Sequence, residues 1–150
     1  MEAAYPPTGT RVDGVFGVNR GARIGDIIDG TSNTLLLSEI IPGHNCTIRG
    51  ALIYDEGPVF MTDYSPNDLT PDIVRWCDEK DSAADARAPC SGVLGTNYDM
   101  VLHTSRSMHA GGVQSGLCDG SVRFVPETIA LDVWWALGTP DGGETVSTEF

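Results

Sequence analysis

A short stretch of the chain gathers His103, Ser105, Ser107, His109 and Asp119, residue types that move protons, attack carbonyls or hold metals. Each of those chemistries demands a spacing. An acid/base pair needs His109 and Asp119 side by side. If Val113 to Cys118 is an extended strand, five steps of ~3.4 Å put its ends ~17 Å apart. The two residues then cap opposite ends of one strand. His109 is expected to be a packed, hydrogen-bonded loop residue, and Asp119 a turn residue. His103 and His109 are six apart, which fits neither a helix face nor the usual zinc spacings. Ser105 or Ser107 with His109 and Asp99 matches a nucleophilic triad in composition only, because no G-x-S-x-G elbow is present. A serine within hydrogen-bond reach of the His109 imidazole would be needed to revive a hydrolase. No catalytic residue is assigned, and the chain is expected not to be an enzyme.

Carboxylates and thiols offer the remaining chemistry. Residues 62–99 carry Asp63, Asp68, Asp72, Asp78, Glu79, Asp81, Asp85 and Asp99 against Arg75, Lys80 and Arg87. Asp78, Asp81 and Asp85 are weak calcium candidates, since no D-x-D-x-D-G loop with a distal Glu accompanies them. No other cofactor or metal is expected. Glu39 lies within the apolar run Thr34 to Ile41 and is expected to pair with Arg23 or Arg123, or with backbone amides; a catalytic carboxylate is the alternative. Cys77 and Cys90 can close a small loop, worth roughly 3 kcal/mol as a disulfide. Cys46 and Cys118 are left over, and the chain has no C-x-x-C. Asn45-Cys46-Thr47 fits a glycosylation sequon, a pattern easily matched by chance.

These residues must be held by the elements between them. Asp119-Gly120 sits between two apolar-alternating runs, which predicts a hairpin with a two-residue type I′ turn. In that register Leu117 faces Val122, Ser115 faces Phe124 and Val113 faces Pro126. Val113, Leu117, Val122 and Phe124 then share the core face. Residues 1–11, with Pro6-Pro7, predict an irregular arm. Residues 12–150 read as one domain. Val12 to Val18 predicts a short strand. A helical turn or two from Gly25 or Asp26, ended by Gly30, would turn Ile24, Ile27 and Ile28 toward the sheet. Thr31-Ser32-Asn33 reads as a polar turn, with a binding loop as the alternative. Thr34 to Ile41 predicts a central strand and Arg49 to Tyr54 another. Residues 62–99 show little periodicity and form a long irregular segment. A short helix from Thr128 or Asp132 to Leu137 is capped by Gly138 and blocked by Pro140, with Ile129, Val133, Trp134 and Leu137 inward. Gly142 to Val146 adds an edge strand. The fold class is α+β: a twisted antiparallel sheet with a hairpin, two short helices and a long acidic loop.

Charge narrows the partners. The net charge is −12 with a single lysine, a surface that repels phosphate backbones and anionic lipid. Nucleic acid is excluded as a partner, and no membrane contact is expected from this chain. No apolar run approaches the ~20 residues of a span, and no stretch of these residues reads as a leader with a basic start and an apolar middle.

Three blocks carry a family resemblance. His109, nine residues, then Asp119-Gly120 resembles the C-terminal signature of a large prepilin-like bacterial family of unknown molecular function, abundant in planctomycetes and sometimes catalogued as an extracellular solute-binding type. Asp26 to Thr34 (D-I-I-D-G-T-S-N-T), trailing to Glu39, resembles that family's D-I-x-D-G-T-S-N-T block. Trp134 to Glu144 resembles its closing W-x-A-L-G-T segment. Ala110 stands where the family often has Pro, and the leader and long N-terminal helix that members usually carry are not in this sequence. The resemblance marks Asp29, Gly30, Thr31, Ser32, Asn33, Thr34, Glu39, His109, Gly111, Gly112, Asp119 and Gly120 as motif residues, expected to be structural. It implies the head of a pilin- or pseudopilin-like protein of the type II secretion or type IV pilus kind, extracellular or in the cell envelope. Its partners would be other pilin-like subunits or envelope proteins. A carbohydrate- or small-solute-binding module using Tyr54, Trp76 or Trp135 is the alternative.

Overall fold

The computed structural model describes residues 14–17, 20–44, 47–54, 57–78, 80, 86–92 and 101–144. The predicted arm at residues 1–11 lies outside them. Strands β1 (Phe16–Gly17) and β2 (Arg20–Gly21) pair antiparallel. A 3-10 turn follows at Ile24–Asp26, then β3 (Leu35–Ser38), β4 (Asp72–Val74), β5 (Cys90–Gly92), β6 (Gly112–Leu117), β7 (Val122–Pro126) and helix α1 (Leu131–Gly138). Strands β3, β6 and β7 form a three-stranded antiparallel sheet in that order. The class is mixed α+β; the elements given for the described residues include one helix and one 3-10 turn, where two helices were expected.

The core lies between the sheet's inner face and α1. Leu35, Val113, Leu117 and Val125 meet Ile129, Trp134 and Leu137, with Phe60, Leu131 and Val133 packed around them. Ile129, Trp134 and Leu137 are the inward residues expected of the helix. Gly138 is not the cap but its last residue, and Thr139 caps it. The glycine lets the helix end press on Thr62, since a Cβ there would lie 2.8 Å from the threonine hydroxyl.

The hairpin exists, but its register is one residue from expectation. Gly116 pairs with Val122, Gln114 with Phe124 and Val113 with Val125. The Gly120 amide donates to the Leu117 carbonyl and the Leu117 amide to the Ser121 carbonyl, both at 2.9 Å. Three residues, Cys118 to Gly120, therefore make the loop. Only Gly120 takes a positive φ, +85°, while Asp119 stays on the ordinary side. A type I turn closed by a left-handed glycine replaces the predicted type I′ turn. A one-residue slip turns every side chain of a strand over. Val125 is thus buried, and Val122 and Phe124 lie on the outer face, 66% and 41% exposed.

Other elements shift as well. β3 is an edge strand rather than central, with an irregularity between Leu35 and Leu37. Ile24 and Ile28 are exposed instead of facing the sheet, because one 3-10 turn is too short to present a helical stripe. Of the strand predicted at Val12 to Val18, Phe16–Gly17 forms, and residues 12, 13 and 18 lie outside the described positions. Arg49 to Tyr54 is turn and bend, not strand. Gly142 to Glu144 form no strand, and Thr145 and Val146 lie outside the described residues. Residues 62–99, expected to be irregular, contain β4 and β5, paired in parallel, and the Cys77–Cys90 disulfide ties the segment after β4 to the first residue of β5.

Glycine supplies close approach within the sheet as well. A Cβ on Gly112 would lie 2.2 Å from the Val125 carbonyl and 2.8 Å from the Phe124 ring, whereas one on Gly120 meets nothing. Gly112→Ala is expected to lose about 2–3 kcal/mol by overpacking. Gly120→Val is expected to lose about 1–2 kcal/mol from backbone conformation alone. Gly116→Ala, with only Leu37 Cβ at 3.7 Å, should change little. Urea unfolding of the three variants checks the order; an undisturbed Gly112→Ala would contradict the observed register.

Candidate functional site

The motif residues meet at two junctions, one at each end of β6. At the hairpin end, the Asp119 and Cys118 amides donate to the carbonyls of Thr31 and Thr34, each at 2.9 Å. Gly30 has φ +94° and its carbonyl accepts from the Asn33 amide and the Thr34 hydroxyl. The Asn33 side-chain amide donates to the Asp29 carbonyl at 3.1 Å. Both Asp29 carboxylate oxygens accept backbone amides, from Gly142 at 2.8 Å and Gly143 at 2.9 Å. The D-G-T-S-N-T block thus ties the hairpin tip to the segment after α1. Ser32 is exposed. Asp119 Oδ1 accepts from the Ser121 hydroxyl and amide, and these bonds hold its carboxyl below the ordinary range. Burial, then the Asp119 charge, pushes the Cys118 thiol up.

At the other end, His109 Nε2 lies 3.3 Å from Glu39 Oε1, and Glu39 Oε2 accepts the Gln114 amide at 2.7 Å. Glu39 therefore pairs with a backbone amide, one of its predicted options, and with the motif histidine instead of Arg23 or Arg123. His109 and Asp119 stand at opposite ends of β6, as the strand arithmetic required. Ser107 is near His109, but its hydroxyl accepts the His109 backbone amide and donates to the Gly112 carbonyl. Ser105 bonds Ser38 and the Glu39 carbonyl. Neither hydroxyl reaches the imidazole. Gly111, at φ +81°, offers its carbonyl to the Glu127 amide.

A third cluster was missed from the sequence. Asp72 is fully buried between Arg106, also fully buried, and Arg49. Arg106 donates to both Asp72 oxygens and to the carbonyls of Asp68, Thr70 and Arg87. Arg49 donates to Asp72 Oδ2 at 2.9 Å and to the carbonyls of Ile41 and Ala88. The Thr104 amide completes Asp72. One charge remains unneutralised by carboxylate, and carbonyl dipoles absorb it. The acidic run hid Asp72 among solvated neighbours. The one available hint was Arg106, an arginine flanked by two small hydroxyl residues.

Beside this cluster His103 is buried, and neither ring nitrogen makes a well-formed hydrogen bond. Burial lowers its pKa to about 4; Arg49 pushes the same way, and Asp72 and the Val59 backbone pull back. Burial raises Asp63 to about 6. No group of three His, Cys, Asp or Glu among the described residues is placed to hold a metal. Of the calcium candidates, Asp78 accepts the Lys80 amide; Asp81 and Asp85 lie outside the described residues, as does Cys46 of the sequon. Tyr54 and Trp76 are half-exposed and perpendicular, at 84° and 5.3 Å between centroids. Trp135 is half-buried.

Two measurements test the cluster. Asp72→Ala strands two buried guanidinium groups and is expected to cost about 3–5 kcal/mol in denaturant unfolding. His103 is neutral when folded, so the unfolded chain takes its proton first as pH falls from 6.5. Its contribution is constant above pH 6.5 and is lost toward pH 4, by at most about 3 kcal/mol. Asp63 acts oppositely, favouring the fold as pH drops from 6 to 3.8. The His103 imidazole is expected to titrate near pH 4 by NMR; a midpoint near 6.5 would place it in water.

No curated protein and no solved structure matches the chain. A family described as proteins of unknown function (DUF1559) matches residues 2–132, which takes in the D-G-T-S-N-T block, Glu39 and the whole His109 to Gly120 signature. The chain belongs to that family.

Proposed function

We propose that this chain is a non-enzymatic pilin- or pseudopilin-like head domain of a cell-envelope or extracellular assembly, of the type II secretion or type IV pilus kind. The observation that carries the reading is the sheet's outer face. Leu37 on β3 and Val122 on β7 flank Gly116 of β6 in one cross-strand row, with Phe124 beside them. Space above Gly116 is open but for Leu37. Leu37 is 62% exposed. Two strand spacings make this trough about 9.5 Å wide, close to the ~10 Å of a helix. An apolar trough on an otherwise acidic domain suits a subunit that packs against its neighbours. The Cys77–Cys90 disulfide supports an oxidising compartment. No helix among the described residues is long and apolar enough to cross a membrane. The partners would be pilin-like subunits or envelope proteins, with no cofactor. The carbohydrate-binding alternative gains little support, because a sugar stacks on ring faces and perpendicular rings present no shared platform.

The test is fractionation of the native host expressing a tagged chain. The protein is expected in envelope or extracellular fractions, crosslinked to other subunits. Leu37→Asp with Val122→Asp should abolish incorporation while leaving thermal unfolding unchanged. Recovery of the wild type as a free cytoplasmic monomer would overturn the reading.

A further inference from the structure

The chain leaves the body at Gly50 and returns at Gly57. The Gly50 amide donates to the Gly57 carbonyl at 2.7 Å, closing the neck. The two arms touch so closely that a Cβ on Gly57 would sit 2.1 Å from the Ala51 carbonyl. Within the loop the Tyr54 amide donates to the Ala51 carbonyl, making a tight turn with Leu52 and Ile53 at its apex. These two are 85% and 90% exposed, the most exposed large apolar side chains described. Below them Tyr54 and Trp76 meet edge to face. Trp76 is fixed to the base of the loop, where its carbonyl accepts the Ile48 amide.

We propose that the turn from Ala51 to Tyr54 is a lipid-inserting tip, which seats Leu52 and Ile53 in the apolar margin of a neutral, zwitterionic bilayer surface. The tip is convex, so a protein partner would need a pocket shaped for two branched side chains on one turn. A bilayer accepts them without shape matching. Tyrosine and tryptophan rings with polar handles favour the headgroup level, and here they lie just behind the apex. Charge selects the lipid. The chain carries −12 overall, and Asp55 and Glu56 follow the tip in sequence, so anionic headgroups repel it. Binding then depends on apolar contact and is insensitive to salt. The expectation of no membrane contact rested on charge and on the lack of an apolar run long enough to span; Arg49 to Tyr54, expected as a strand, is turn and bend. The turn exposes what that strand would have hidden.

The full chain is sedimented with phosphatidylcholine vesicles, and with vesicles that also contain phosphatidylserine. Wild type is expected to bind the former whatever the salt, and the latter more weakly, with added salt narrowing the difference. Leu52→Ser with Ile53→Ser should lower partitioning roughly tenfold or more, with unfolding unchanged because both side chains are exposed. Brominated acyl chains should quench the fluorescence of wild type, and Trp76→Phe should remove that quenching. Val122→Ser, on the sheet trough, should bind as wild type does. Absence of binding to phosphatidylcholine, binding that requires anionic lipid, equal binding by the tip variant, or loss in Val122→Ser would each overturn the proposal.

Discussion

The reversal between Leu117 and Ser121 governs what the sheet shows on either side. Side chains alternate along a strand, so one residue of register decides whether Val125 or its neighbours enter the core. The loop takes three residues because its amides have other work. Those of Cys118 and Asp119 are bonded to the carbonyls of Thr34 and Thr31 rather than to the facing strand. With Gly120 absorbing the positive φ, β7 meets β6 one residue earlier than a two-residue turn allows. Val125 then packs with Val113, and Phe124 lies across the bare backbone of Gly112. The filled inner face and the open outer trough are two results of one offset.

The other half of the chain has a different organiser. It has little apolar periodicity, and its short strands could not hold themselves together. Asp72 gathers Arg49, Arg106 and the Thr104 amide, and the two guanidinium groups reach carbonyls at Ile41, Asp68, Thr70, Arg87 and Ala88. Arg106 uses all five of its N–H groups. Such a cluster is a weak source of net stability, since desolvating its charges costs nearly what their attraction returns. Its effect is on geometry. Every segment that supplies a carbonyl must sit where the planar fork of an arginine points, which fixes loops that no hydrophobic pattern fixes. The disulfide adds a covalent tie beside it, through Cys90, the residue paired with Asp72.

This division explains what could be read from sequence. Elements set by local chemistry were legible: the Asp-Gly reversal, the left-handed Gly30, helix α1 with Trp134 and Leu137 inward, and the Cys77–Cys90 pair. The separation of His109 from Asp119 followed from strand length alone. Features set by long-range pairing were not legible. The hairpin register depended on carbonyls at Thr31 and Thr34, some eighty residues away. Leu52 and Ile53 have strand-like composition, but the neck hydrogen bond bends their segment into a turn. Arg49 and Arg106 look like ordinary surface cations until Asp72 is found between them. The His109–Glu39 contact joins two motif blocks that the sequence presented separately.

The way the motif side chains are engaged bears on what they can do. Asp29 spends both carboxylate oxygens on the Gly142 and Gly143 amides, Asn33 and Thr34 bond carbonyls of their own turn, and Asp119 bonds Ser121. Each of these bonds ties a motif side chain to backbone. Glu39 is half-committed in the same way to Gln114, and its second oxygen orients His109. A histidine positioned by a carboxylate is the beginning of a catalytic arrangement, but such chemistry needs a reacting group within reach, and the nearest serine hydroxyl is already bonded to Gly112. The pair instead closes the far end of β6, as Thr31 and Thr34 close the near end. Both ends of the central strand are thereby tied to β3, to the turn that precedes it and to Glu39 that follows it.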